Sequence, residues 1–225
     1  SSDVFQVSVA DVVELENMDI KYQSTGVAIR VLTAGADVRL TNVDFTVTGN
    51  VTWAVINLAM TGDALTKLIL DDVNVDMDTD TQTDRPQDGR GIIRTGNGNN
   101  NVYIKAENCV LDAAGNTETG TTGSENRCGI VVYSSTRGTI ELVNTKIATK
   151  NLEPIRNLSA NTEVTMTNTI LHCDAKDALI GNTLYDTLAD AVSEASEGST
   201  IEILRDITVN AQGLTKALMI DGNKH

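Results

Sequence analysis

Three aspartates, Asp76, Asp78 and Asp80, alternate in the stretch LDDVNVDMDTDTQTDRPQDGRG. In an extended chain every second side chain falls on one face. Their carboxylates would then line up, and hard oxygen ligands on one face suit calcium. The order of an EF-hand loop is missing, with no Gly at the sixth position and no Glu at the twelfth. A solvated acidic loop therefore stands beside the calcium reading, and no other cofactor is expected. The cysteines Cys109, Cys128 and Cys173 are too few for a disulfide scaffold and lack metal-ligand spacing. They read as small core residues, with a Cys109–Cys128 bridge as the one pairing left open. His172 and His225 are the only histidines, and no nucleophile motif surrounds Ser, Cys or His.

What would position these residues is a repeated eight-residue pattern. VELENMDI returns as VRLTNVDF, LILDDVNV, IELVNTKI and VTMTNTIL. Aligned on Asn17, Asn42, Asp72, Asn108, Asn144 and Asn168, the units place an apolar residue at three fixed offsets. Two positions before stand Leu15, Leu40, Leu70, Ala106, Leu142 and Met166. Four before stand Val13, Val38, Leu68, Ile104, Ile140 and Val164. Three after stand Ile20, Phe45, Val75, Leu111, Ile147 and Leu171.

The anchors lie 25, 30, 36, 36 and 24 residues apart, which is the period of a solenoid or an array. The spacing of two before each anchor predicts a strand with one buried face. After the anchor the spacing becomes three, so one residue is inserted and the chain bends. Asn is among the few residues that tolerate left-handed backbone, and Asp follows it. Each anchor is therefore expected to be a corner between two short strands, with Asn side chains bonded along the stack. A further strand precedes each corner, in GVAIRVL, WAVINL, GIIR, CGIVVY and EPIRNL, centred near Ile29, Ile56, Ile93, Ile130 and Ile155. Three short strands per unit, stacked in parallel, predict an all-β chain. The fold expected is a right-handed parallel β-helix of about six to seven rungs, with one short C-terminal α-helix.

Over about residues 4 to 180 this Asn-corner pattern resembles the pectin-lyase-like β-helix superfamily. The resemblance implies an internal Asn ladder. It does not single out a function, because the fold carries enzymes, adhesins and phage tailspikes alike. Polysaccharide lyases of this fold set a basic residue beside calcium-binding acids, which Arg85 and Arg90 near Asp84 and Asp88 imitate only faintly. Polygalacturonase-type hydrolases need a fixed carboxylate pair. The chain has Asp71-Asp72 but no GHG, and Asp72 is already explained as a corner. Exposed aromatics that could stack on sugar are scattered: Tyr22, Trp53, Tyr103 and Tyr133. The long loops at 78–90 and 113–127 are where contacts would gather.

The rhythm changes from Gly181 onward. Leu188, Ala191, Val192 and Ala195 fall on one helical face. Thr187 with Asp190 resembles a capping box, and Gly198 suits the helix end. The segment from Tyr185 to His225 resembles a module of large bacterial surface proteins: Tyr185, Leu188, Ala191, Val192, Ala195, Gly198, then Thr200, Ile201, Leu204, Asp206 and the closing IDGN at 220–223. In such modules the helix caps an open end and IDGN begins a new set of rungs. The domains expected are a β-helix over 1–180, and over 181–225 a capping helix with strands that start a second β-helix.

Composition agrees with an aliphatic solenoid. Apolar residues make up 40% of the 225-residue chain and aromatics only 3%. A formal net charge of −14 argues against nucleic acid, which needs a basic face. No apolar run approaches the roughly 20 residues of a bilayer span, so membrane insertion is not expected. The chain opens at Ser1-Ser2 without an initiator Met and is read as a monomeric module of something longer. The function expected is a non-enzymatic, adhesin-like or structural fragment of a bacterial cell-surface or secreted protein. Its partners would be glycans or host surface proteins, and its location extracellular. The rival readings are a polysaccharide lyase or glycoside hydrolase on the same fold, and a piece of a trimeric phage tailspike.

Overall fold

Alternation of in-facing Val, Ile and Leu with out-facing polar residues makes strands, and the repeats place those strands one above another. The computed structural model describes residues 3–23, 26–48, 54–77, 91–114, 128–209 and 213–225. Six units follow one another. The first three are β1 (Phe5–Val7) with β2 (Val12–Tyr22), β3 (Ile29–Val31) with β4 (Asp37–Val47), and β5 (Ile56–Leu58) with β6 (Gly62–Met77). The fourth has β7 (Ile93–Thr95), β8 (Asn100–Glu107) and β9 (Val110–Ala113). The fifth has β10 (Ile130–Val132), β11 (Thr136–Val143) and β12 (Lys146–Thr149). The sixth has β13 (Ile155–Asn157), β14 (Asn161–Thr167) and β15 (Ile170–Cys173). Three strands per unit hold only from the fourth onward; before that, one strand runs unbroken through the corner.

The short strands form one parallel sheet in the order β1-β3-β5-β7-β10-β13. Its register joins Phe5, Ile29, Ile56, Ile93, Ile130 and Ile155 in a single column. The long strands form a second parallel sheet, in which Leu15, Leu40, Leu70, Ala106, Leu142 and Met166 are successive partners. So are Ile20, Phe45, Val75, Leu111, Ile147 and Leu171 beyond the corner. One aliphatic core runs from Val7 to Cys173, Leu179 and Leu204. The result is an all-β arrangement of long parallel sheets curled around that core, compatible with a β-helix.

Every anchor adopts left-handed backbone, with φ of 54° at Asn17, 52° at Asn42, 54° at Asp72, 56° at Asn108, 49° at Asn144 and 53° at Asn168. The amides bond along the stack: Asn42 Nδ2 donates to Asn17 Oδ1 at 2.8 Å, Asn144 to Asn108 at 3.2 Å, and Asn168 to Asn144 at 2.6 Å. The ladder is external, which corrects the internal one implied by the resemblance, for all six anchors are exposed. The reason lies in the inserted residue. The anchor and the residue before it both turn outward, while the residue after it turns inward, as Val43, Val73 and Cys109 do.

The ladder breaks where the anchor is a carboxylate. Asp72 has no N–H to offer Asn42, and Asn108 Nδ2 donates to the neighbouring Asp71 Oδ1 at 3.2 Å instead. Asp72→Asn should restore the missing amide link and better tolerate left-handed backbone. We expect a gain of about 1 kcal/mol in urea unfolding. An unchanged or lower midpoint would count against the ladder as a source of stability.

The cysteines are free and buried, so the Cys109–Cys128 bridge is not formed. Burial pushes the Cys109 thiol up to about 11 and Cys128 well above its usual range.

After the sixth unit come β16 (Ala178–Ile180), β17 (Thr183–Tyr185), α1 (Leu188–Glu194), β18 (Thr200–Ile203) and β19 (Met219–Asp221). The Thr187 hydroxyl accepts from Asp190 N–H at 3.1 Å and donates to Asp190 Oδ2 at 2.6 Å, which starts α1. Gly198, with φ of +78°, lies just beyond its end. The strands make a sheet in the order β17-β16-β18-β19, with β18 and β19 parallel. Its two faces divide the work. Leu179 and Leu204 join the main core, whereas Ala178, Ile201 and Ile203 pack with Leu188, Ala191 and Ala195 of the helix.

The helix therefore packs on the face of this sheet away from the main core. Side-chain amides close two strand edges. Asn182 accepts from Asn157 N–H at 3.2 Å and donates to Asn157 O at 2.8 Å, closing the edge of β13. Asn223 accepts from Leu171 N–H at 3.2 Å and donates to Leu171 O at 2.5 Å, closing β15. An amide side chain carries the same donor and acceptor as a peptide unit, so one Asn can stand in for the next strand.

Candidate functional site

In the short strands the residue after each core Ile must face outward. The sequences IRV, INL, IRT, IVV and IRN therefore build an outward row of Arg30, Asn57, Arg94, Val131 and Arg156, begun by Gln6. The arginines recur at every second strand, roughly 10 Å apart. In a chain of net charge −14 this is a concentration of cations on one sheet. The signal was legible in the sequence, one position after each Ile. The apolar period alone does not reveal it.

Each guanidinium is held. Arg30 Nε lies 3.3 Å from Asp3 Oδ2, with the Asp3 side chain only 3% exposed. Asp3 is itself fixed, because its Oδ1 accepts from Val27 N–H at 3.0 Å. Arg94 lies 4.8 Å above the Tyr133 ring, in cation–π contact, and donates to the Tyr133 hydroxyl at 3.1 Å. Arg156 Nη1 is 3.6 Å from Glu153 Oε1, and Glu153 Oε2 accepts from Cys128 Sγ at 3.6 Å. Between Arg30 and Arg94 sits Asn57, 3% exposed, whose Oδ1 has no hydrogen-bond partner among the described residues. A buried acceptor without a donor calls for an explanation. Asn57, Arg94 and Val131 are buried, so of the arginines in this row only Arg30 and Arg156 reach solvent, and those in part. The row fixes cations on the sheet; it does not set a nucleophile against a base.

Of the three aspartates expected to line up, only Asp76 is among the described residues. Asp76 lies on β6 and is exposed, in register with Thr46 and Asp112. Asp78 and Asp80 lie outside the described residues, as do Asp84, Arg85, Asp88, Arg90 and Trp53. Among the described residues no group of three or more His, Cys, Asp or Glu could hold a metal ion. Asp71 serves the corner ladder. Tyr22 is buried at 2% exposure. Tyr103 donates to Glu141 Oε2 at 2.6 Å, and that bond, with burial second, pushes its phenol up. His172 and His225, 53 residues apart in sequence, come to a ring separation of 5.6 Å at the C-terminal join. Nothing local in the sequence announces that meeting.

Among the described residues no helix is long and apolar enough to cross a membrane. No protein-family model, curated protein or solved structure matches the chain.

Proposed function

We propose that the chain is a right-handed parallel β-helix of the pectin-lyase-like kind. It would serve as a structural, adhesin-like module of a bacterial cell-surface or secreted protein, contacting glycans or host proteins. The observation that carries this reading is the C-terminal join. Asn182, Asn223 and Lys224 fasten the six-unit stack to a smaller sheet that holds a parallel pair, β18 with β19, which supports a reading in which units are joined in series. Length built from repeated units is what a stalk requires. Right-handedness follows from the general preference of parallel crossovers. The partnered arginine row supports a structural role over turnover, since each cation is already fixed by a carboxylate or a ring.

The test is to present the intact chain to arrayed polyuronates, neutral glycans and matrix proteins, and to assay the same polysaccharides for released products. Retention on a subset without release, from a monomer by light scattering, is the expected result. Release of unsaturated or reducing ends would overturn it in favour of a lyase or hydrolase. A trimer would favour a tailspike fragment.

A further inference from the structure

At the C-terminal end three edges meet solvent or the following segment. Two are closed by Asn182 and Asn223. The third, β14, has a strand on one side only, β11, among the described residues. Beside it opens a cleft of about 390 Å³ lined by Ile155, Val164, Met166, Leu171, Leu179 and Glu202. A volume of this size holds a few side chains. Met166 is 44% exposed here, although its column partners Leu142 and Leu70 are fully buried. Glu202 reaches the cleft from β18, has no hydrogen-bond or ion-pair partner among the described residues, and neighbours Asp221 across the β18–β19 pair. Burial, and then the charge of Asp221, push the Glu202 carboxyl up.

We infer that β14 and this cleft take up a short extended peptide from another protein, added as a strand, with a Lys or Arg flanked by apolar residues on its inward face. Unpaired edge groups give such a peptide its main-chain bonds. The stem of the basic residue lies along Met166 and Leu171, and its charge meets Glu202. The apolar neighbours cover Val164 and Leu179. Charge settles the occupant, since the cleft presents an unpaired carboxylate with a second one beside it. A second copy of the chain does not fit. Its free edge strand β2 runs on past the Asn17 corner to Tyr22. On this end the equivalent space is taken, because Lys224 bonds Asn168 and Asn223 bonds Leu171. Only a strand about as long as β14, seven residues, can be seated. The inference rests on the parallel registers and holds whether or not the surface-module reading does.

The test uses a labelled, end-blocked peptide, Thr-Val-Thr-Lys-Thr-Val-Thr, and its version with Glu in place of Lys, titrated against the whole chain by fluorescence anisotropy. The Lys peptide should bind saturably and the Glu peptide about tenfold more weakly, the scale of one close charge contact. Glu202→Gln should erase that preference. Met166→Lys, which fills the cleft with its own ammonium at a half-exposed position, should abolish binding while leaving the circular dichroism unchanged. Absence of saturable binding overturns the inference, as does binding indifferent to both substitutions.

Discussion

Gly138→Ala should cost more than about 3 kcal/mol of stability, or prevent folding. Gly138 lies in β11 between Val102 of β8 and Thr162 of β14. Its φ is +132°, where L side chains are strained, and a Cβ built there falls 1.8 Å from the Val102 carbonyl oxygen. That atom belongs to the backbone of the neighbouring strand and cannot rotate aside. The two strands would have to part, and the units beyond depend on their contact. Gly181→Ala is the control. It also has positive φ, +60°, but nothing lies within 4 Å of its Cβ. It should cost about 1 kcal/mol from backbone strain alone. Urea unfolding of both variants by circular dichroism separates the two terms. Equal midpoints would mean that the close approach of β8 and β11 is not as described.

Leu70→Ala should cost about 2–5 kcal/mol, whereas Met166→Ala in the same column should cost under about 1 kcal/mol. Leu70 is fully buried between Leu40 and Ala106, and Ala106 is too small to fill the vacated space. Met166 sits at the open end, 44% exposed. The prediction tests the column itself, because two large apolar residues of similar volume at the same place in the repeat differ chiefly in where along the stack they fall. Similar losses for both would show that column position does not govern burial.

Much of the fold was legible because it is written locally. Left-handed backbone at Asn17, Asn42, Asp72, Asn108, Asn144 and Asn168 follows from residue type and from a shift of period within eight residues. The columns through Leu40 and Ile56 follow from alternation. The outward direction of the anchors does not follow from the apolar spacing, which leaves the two positions between apolar residues unassigned. The arginine row is hidden for a related reason: each Arg is unremarkable in its own strand and gains meaning only when four loops of unequal length bring Arg30, Arg94 and Arg156 into line.

The sequence by itself determined the repeating unit, its corner, its buried face and the start of α1 at Thr187, all of which depend on the conformational preferences and alternation of a few adjacent residues. Only the tertiary structure decided which edges are closed and which is left open. Asn182 meets Asn157, Asn223 meets Leu171, and β14 keeps one free edge among the described residues because of where the chain returns after the sixth unit, and contacts spanning 25 to 52 residues leave no local trace in residue type or spacing.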